Sequence, residues 1–217
     1  MKYIYLILAL ILSSLSFSEN NVVEVKLGVS PSPRFDVTPS SKAKASYEIG
    51  AEYRYELTNN VEIGGGISYQ NHGKLKRFTD IEDTMVRVDV SDTKLYNSIP
   101  IYATVKYNFR NETEFTPYIK ANLGYSINTS NKNKSTYETY NKSNGLLLDS
   151  GTLKEYKAKN GIYYSLGIGA EYKGFIGELS YQINTSKIDG LRYDGIRDSG
   201  RADNKRLTLG IGYQFKY

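Results

Sequence analysis

The sequence has no cysteine and no tryptophan, one histidine, two methionines and five prolines in 217 residues. Without cysteine there is neither a disulfide framework nor a thiolate metal site. A single histidine argues against a zinc centre, which draws on several nitrogen or sulfur ligands. Beyond residue 18 no apolar run reaches the ~20 residues that a membrane-crossing helix needs, and mean hydropathy is -0.47. Basic runs are missing too, because Lys and Arg are interleaved with Asp and Glu. The net charge of +5 therefore indicates a solvated surface mildly attracted to anionic lipid heads, not a nucleic-acid partner.

Tyrosine, in contrast, is abundant at 21 residues, and apolar and polar residues alternate at period two in eight segments. The last segment places Leu207, Leu209, Ile211, Tyr213, Phe215 and Tyr217 on one face and Thr208, Gly210, Gly212, Gln214 and Lys216 on the other. From Ala43 to Tyr55 the alternation runs without a phase error, which excludes a helix, whose apolar positions recur at three and four. Further segments present Val23 to Val29, Val61 to Tyr69, Leu95 to Phe109, Ile119 to Ile127, Ile162 to Tyr172 and Phe175 to Ile183. Each is compatible with a tilted strand of ~9–11 residues crossing a bilayer core.

The connections alternate in length. Residues 57–60, 110–116 and 173–174 form short links, whereas 31–42, 71–92, 129–160 and 185–203 are long. Outer-membrane barrels have short periplasmic turns and long external loops, so both termini are expected in the periplasm. The fold expected is all-β: an eight-stranded antiparallel up-and-down transmembrane β-barrel over residues 19–217. Two rings of aromatics fit two membrane interfaces. Tyr53, Tyr55, Tyr107, Phe109, Tyr172, Phe175, Phe215 and Tyr217 lie beside the short turns, and Tyr47, Tyr69, Tyr125, Tyr164 and Tyr181 lie nearer the long loops. Lys2, the apolar stretch from Ile4 to Leu12, and the small residues Ser16 and Ser18 read as a secretory leader over residues 1–18, cleaved before Glu19.

Two places strain the pattern. Pro100 falls inside the fourth strand, where it offers no N–H to the ladder, so a local bulge or kink is expected. Val86, Val88 and Val90 alternate on the opposite parity to Leu95 and Ile99. Either a bulge resets the phase or, the reading favoured here, they belong to a hairpin arm above the membrane.

Taken together, the leader, the segments Ile99 to Phe109 and Pro117 to Tyr125, and the terminal strand resemble the eight-stranded outer-membrane barrels of the OmpA/OmpX and opacity-protein type. The resemblance implies an outer-membrane location among lipid and lipopolysaccharide, and a monomer. It also implies a terminal strand that the barrel-assembly machinery reads through Thr208, Gly210, Tyr213, Phe215 and Tyr217.

The inward parity carries Glu24, Glu48, Glu52, Glu56, Glu62, Glu171 and Glu178 against Lys26, Lys44, Arg54, Lys94, Lys106, Lys120, Arg206 and Lys216. An eight-stranded interior is only wide enough for side chains, so these charges must pair or be hydrated. The network expected is Glu52, Arg54, Glu62, Lys106, Lys120, Glu171, Glu178 and Arg206, with Arg54 beside Glu62 and Lys120 beside Glu171. His72 reads as an exposed loop residue with no local Ser partner, approachable by Asp80, Glu82 and Asp83. Neither these acids with Asp89, nor Asp189, Asp194, Asp198 and Asp203, have calcium-loop spacing. No catalytic residue, metal or cofactor is expected.

Tyr137, Tyr140, Tyr156 and Tyr193, set among polar loop residues, suit contact with host surface or matrix molecules, or equally reflect unconstrained loop composition. The leading function is a non-enzymatic surface protein whose four long loops serve adhesion, host interaction or envelope integrity. A small porin-like channel, with lumen glycines leaving a water path, is the alternative, and a lipid-A-modifying enzyme a distant third. N-terminal sequencing of the outer-membrane fraction is expected to begin at Glu19, and recovery of Met1 would refute the leader.

Overall fold

Strict alternation makes each segment greasy on one side, and closure of the sheet puts all those sides outward. The computed structural model describes residues 20–37, 42–130, 135–153, 157–191 and 197–217, so the expected leader and its cleavage point lie outside it. The barrel strands are β1 (Asn21–Ser30), β2 (Ser46–Thr58), β3 (Val61–Asn71), β4 (Tyr96–Asn108), β5 (Phe115–Ser130), β6 (Gly161–Tyr172), β7 (Phe175–Asn184) and β8 (Asn204–Lys216). Each pairs antiparallel with the next, and β8 closes on β1 in a register running from Val22↔Lys216 to Val29↔Leu209. Closure leaves no barrel edge to recruit another chain.

Outward side chains such as Leu27, Ile67, Leu123, Leu166, Ile168 and Leu209 are half exposed or more, the belt that lipid covers. The β6–β7 link is a two-residue turn with Lys173 and Gly174 both at positive φ (51° and 85°), the combination a tight hairpin requires.

Above the barrel the long connections build sheets of their own. Phe78–Glu82, Val86–Ser91, Ser135–Asn141 and Leu147–Leu153 form a four-stranded arm, in which Val86, Val88 and Val90 take the hairpin role favoured above. Lys157–Ala158, Lys187–Leu191 and Arg197–Arg201 form a three-stranded sheet, and Arg34–Phe35 pairs with the start of β8.

Three expectations are corrected. Pro100 causes no bulge: the β3–β4 register is the same at Ile67↔Ile101 and Gln70↔Ser98, and only the pairs between are missing. On the β5 side Pro100 keeps its place opposite Ser126. The missing N–H thus interrupts one ladder without shifting it, because the flanking pairs hold the phase. Ala43 precedes β2 and Leu95 precedes β4, and both are buried under the loops instead of facing lipid. Lys44 and Lys216, assigned inward by parity, are exposed, because Lys44 precedes its strand and Lys216 is the last residue of its own, outside the closed part of the lumen.

Ile168→Arg or Leu209→Arg, each on the lipid face near mid-strand, is expected to cost ~2–4 kcal/mol in lipid refolding titrations. The same substitution at exposed Lys216 is expected to cost little. Equal tolerance at all three positions would refute the assignment of faces.

Candidate functional site in the barrel lumen

Ten charged side chains from the inward parity are buried in the barrel: Glu24, Glu48, Glu52, Glu62 and Glu178 against Lys26, Arg54, Lys106, Lys120 and Arg206. The signs balance, as burial without water demands. Ladder neighbours supply the pairing only in part. Glu62 lies opposite Lys106 with the ions 3.7 Å apart, but Glu24 lies opposite Glu52 and Lys106 opposite Lys120, like charges whose repulsion is relieved by Arg54 on the same wall and by contacts across the lumen.

Arg54 is the hub at the short-turn end. Its Nε donates to Glu62 Oε2 at 2.7 Å, Nη1 donates to Glu52, and Nη2 lies 2.7 Å from Glu24 Oε2. The opposite oxygen of Glu62 accepts from Asn108 at 2.7 Å. Lys120 reaches Glu178 at 2.6 Å, Glu52 at 3.2 Å and Glu24 at 3.5 Å. Lys26 holds the second Glu178 oxygen at 2.7 Å.

The expected pairing of Lys120 with Glu171 is therefore corrected. The register sets Lys120 against Gly167 and Glu171 against Thr116, so Glu171 instead meets Lys106 at 3.6 Å and Lys216 at 3.1 Å near the rim.

Three tyrosines fill the middle. Tyr102 donates to Glu52 at 3.0 Å and Tyr118 to Glu178 at 3.2 Å, while Tyr102 and Tyr163 pack with ring centroids 5.2 Å apart. Lumen glycines make room for them. A Cβ on Gly66 would come within 2.8 Å of the Tyr102 ring, and one on Gly169 within 2.5 Å of Tyr118. The sequence reading overlooked these tyrosines, although their even numbers in β4 and β5, and the odd number in β6, place them on the inward parity.

Nearer the long loops Arg206 bonds Glu48 and donates through Nε to Gln182 Oε1 at 2.8 Å. Gln182 and Gln70 both donate to Glu48, at 3.0 and 3.1 Å, and Asn184 donates to Gln70 at 2.7 Å. Phe35, Ala43, Leu75, Leu95, Tyr96 and Ala202 then cluster over this polar layer.

His72 belongs to that cap, correcting its reading as an exposed loop residue. It is fully buried, with Nε2 2.7 Å from Ser98 Oγ and its ring edge-on to Tyr96 and Phe35 at 5.2 and 6.0 Å. The serine comes from β4, 26 residues away in sequence, which is why no local partner was visible. Asp83 instead caps its own turn, and Glu82 pairs with Lys142 at 3.0 Å. Burial, with Arg206 and Lys94 nearby, holds this imidazole well below its ordinary value.

Of the loop tyrosines, Tyr137 donates to Asp149 at 3.1 Å and Tyr140 to Glu138 at 2.9 Å, while Tyr156 and Tyr193 lie outside the described residues, as does Asp194. Among the described residues no group of three or more acidic or His side chains is disposed to hold a metal. On the terminal strand Thr208 is buried, Gly210 faces Gly28 across the β1 ladder, and Tyr213 packs edge-on against Phe175 and Phe215 at 5.1 and 4.9 Å. Phe215 and Tyr217 remain about half exposed on the outer wall.

The family described as outer membrane protein beta-barrel domain matches residues 4–215. Uncharacterized protein PM1543 of Pasteurella multocida is 29% identical over 225 residues, covering 94% of this chain and 92% of its own. Among solved structures, the attachment invasion locus protein Ail of Yersinia pestis aligns over 91% of this chain and 100% of its own, at 15% identity and a TM-score of 0.45. The outer membrane protein OprG of Pseudomonas aeruginosa aligns over 92% and 98%, at 12% identity and a TM-score of 0.45.

Arg54→Ala is expected to cost ~3–5 kcal/mol in unfolding titrations, since it removes a shared cation from three buried carboxylates and leaves the lumen with an unbalanced negative charge. Glu171→Ala, at the hydrated rim, is expected to cost much less. The cap should also respond to pH. A histidine whose folded value is depressed leaves stability unchanged above the unfolded value of about 6.5 and lowers it as pH falls below. Wild-type stability is expected to fall over that window, and His72→Gln to flatten the profile.

Proposed function

We propose, since this chain belongs to the outer-membrane protein beta-barrel domain family, that it is a closed, non-enzymatic scaffold in the outer membrane whose long connections face outward for adhesion, host interaction or envelope integrity. The observation that carries this reading is the filled interior: balanced buried charges, a tyrosine layer and a capping cluster in series along the lumen. A channel needs a hydrated path, but of the glycines that suggested one Gly66 and Gly169 face the rings of Tyr102 and Tyr118, and Gly210 and Gly212 lie against Lys26. A lipid-A-modifying enzyme needs its histidine at the lipid face, whereas His72 is buried beneath the loops.

Orientation follows from the short-turn rule, with both termini periplasmic and the long loops extracellular. The two ordered sheets built from those loops give the exterior a fixed shape to present. In this reading the chain is made with a leader over residues 1–18 and acts as a monomer. Its partners are outer-membrane lipid and lipopolysaccharide, the barrel-assembly machinery that reads the terminal strand, and host surface or matrix molecules.

In planar bilayers the wild-type chain is expected to show no steady conductance, whereas removing the cap with Tyr96→Ala and Phe35→Ala is expected to make it leak. Cells displaying the chain are expected to bind host matrix. Replacing residues 78–91 and 135–153 by short turns should abolish that binding while heat-modifiable gel migration persists. A steadily conducting wild type would favour the channel instead.

A further inference from the structure

Four large apolar side chains stand exposed at the far end of the four-stranded arm: Met85 at 75%, Leu146 at 61%, Leu147 at 49% and Leu148 at 51%. The register brings their two turns side by side, because Val86 pairs with Asn141 and the Lys142 N–H donates to the Met85 carbonyl at 2.9 Å. Apolar residues on the barrel wall are covered by lipid. These lie beyond the barrel, past the Ser91↔Thr136 pair at the arm's base.

The turns hold them out. Asp83 Oδ1 accepts from the backbone N–H groups of Met85 and Val86 at 2.6 and 3.0 Å, and Asn144 Oδ1 accepts from that of Leu146 at 3.0 Å. Gly145 adopts φ +68°, and a register shift between Leu147 and Asp149 frees Leu148 from the ladder. Preformed turns that project a contiguous apolar tip mark a contact surface.

Directly behind the tip lies a cleft of about 550 Å³ whose lining includes Arg77, Arg87, Tyr140 and Lys142. Buried Asp89 orients the two guanidinium groups, with Arg87 donating through Nε and Nη2 at 2.8 Å and Arg77 through Nη2 at 2.9 Å. Arg77 Nη2 donates as well to Glu138 at 2.9 Å, so half-exposed Arg87 is the guanidinium placed to meet an anionic group beside the tip. Over the tip turns themselves, Glu82 and Asp83 cancel Arg87 and Lys142.

We propose that this tip docks onto a phospholipid bilayer presented by another membrane, with the four apolar side chains entering its acyl region and Arg87 and Lys142 meeting a headgroup phosphate. Neutral tip charge fits a zwitterionic surface. Four side chains fall far short of the ~800 Å² per partner that a specific protein interface buries. They are enough for shallow insertion of ~5–10 Å into a headgroup boundary. The proposal rests on the outward orientation of the long loops only for its cellular setting.

The test uses the full chain in phosphatidylcholine nanodiscs, mixed with sucrose-loaded phosphatidylcholine vesicles and sedimented. The wild type is expected to pellet with the vesicles and to remain bound at high salt. Replacing Met85, Leu146, Leu147 and Leu148 by Ser is expected to lower binding by at least about tenfold with heat-modifiable migration unchanged. Arg87→Gln with Lys142→Gln is expected to weaken it several-fold. A wild type that stays in the supernatant, a quadruple variant that still pellets, or capture only by vesicles bearing protein would each overturn the proposal. Orientation is tested separately by proteolysis of intact cells, so its failure would leave the vesicle result standing.

Discussion

Neutralisation of charge inside a closed eight-stranded wall is the constraint on which the rest of the structure depends. The wall leaves an interior only side-chain wide, and ten buried charges share it. Removing them from water costs several kcal/mol per ion, so each must find an opposite sign within the lumen. Arg54 serves Glu24, Glu52 and Glu62, and Lys120 shares the first two of these and adds Glu178, so most groups have more than one partner. Neighbouring strands bring like charges face to face at Glu24–Glu52 and Lys106–Lys120, and the crossing contacts of Lys120 and Lys26 hold separate strands together as well as balancing charge.

The remaining volume is divided by the same logic. Tyrosine combines a large ring with one hydroxyl, and here Tyr102 and Tyr118 spend those hydroxyls on network carboxylates. Glycine on the facing strand accommodates each ring. Above them the amides of Gln70, Gln182 and Asn184 pass from ion pairs to neutral hydrogen bonds, and the capping cluster completes the passage to an apolar seal.

Strand number, face assignment and the alternation of long and short links were legible because period two and turn chemistry are local properties. Pro100 shows where local reasoning overreached: its missing N–H is a real defect, but the pairs on either side outweigh it and keep the register. Ala43 and Leu95 show a second limit. Their alternation is sound, yet they lie past the membrane-spanning part of their strands, where inward or outward is decided by the loops folded above.

The barrel, its two aromatic rings, the mid-strand part of its inward set of charges and the Arg54–Glu62 neighbourhood could be read from the chain alone, because each follows from parity and adjacent strands. Only the tertiary structure decided that Lys120 meets Glu178 and not Glu171, that His72 is buried against Ser98, and that Met85 stands beside the leucines of another loop. Those pairings depend on registers between strands and on contacts across a lumen or between loops. They join residues 26 to about 60 positions apart, which no periodicity in the chain encodes.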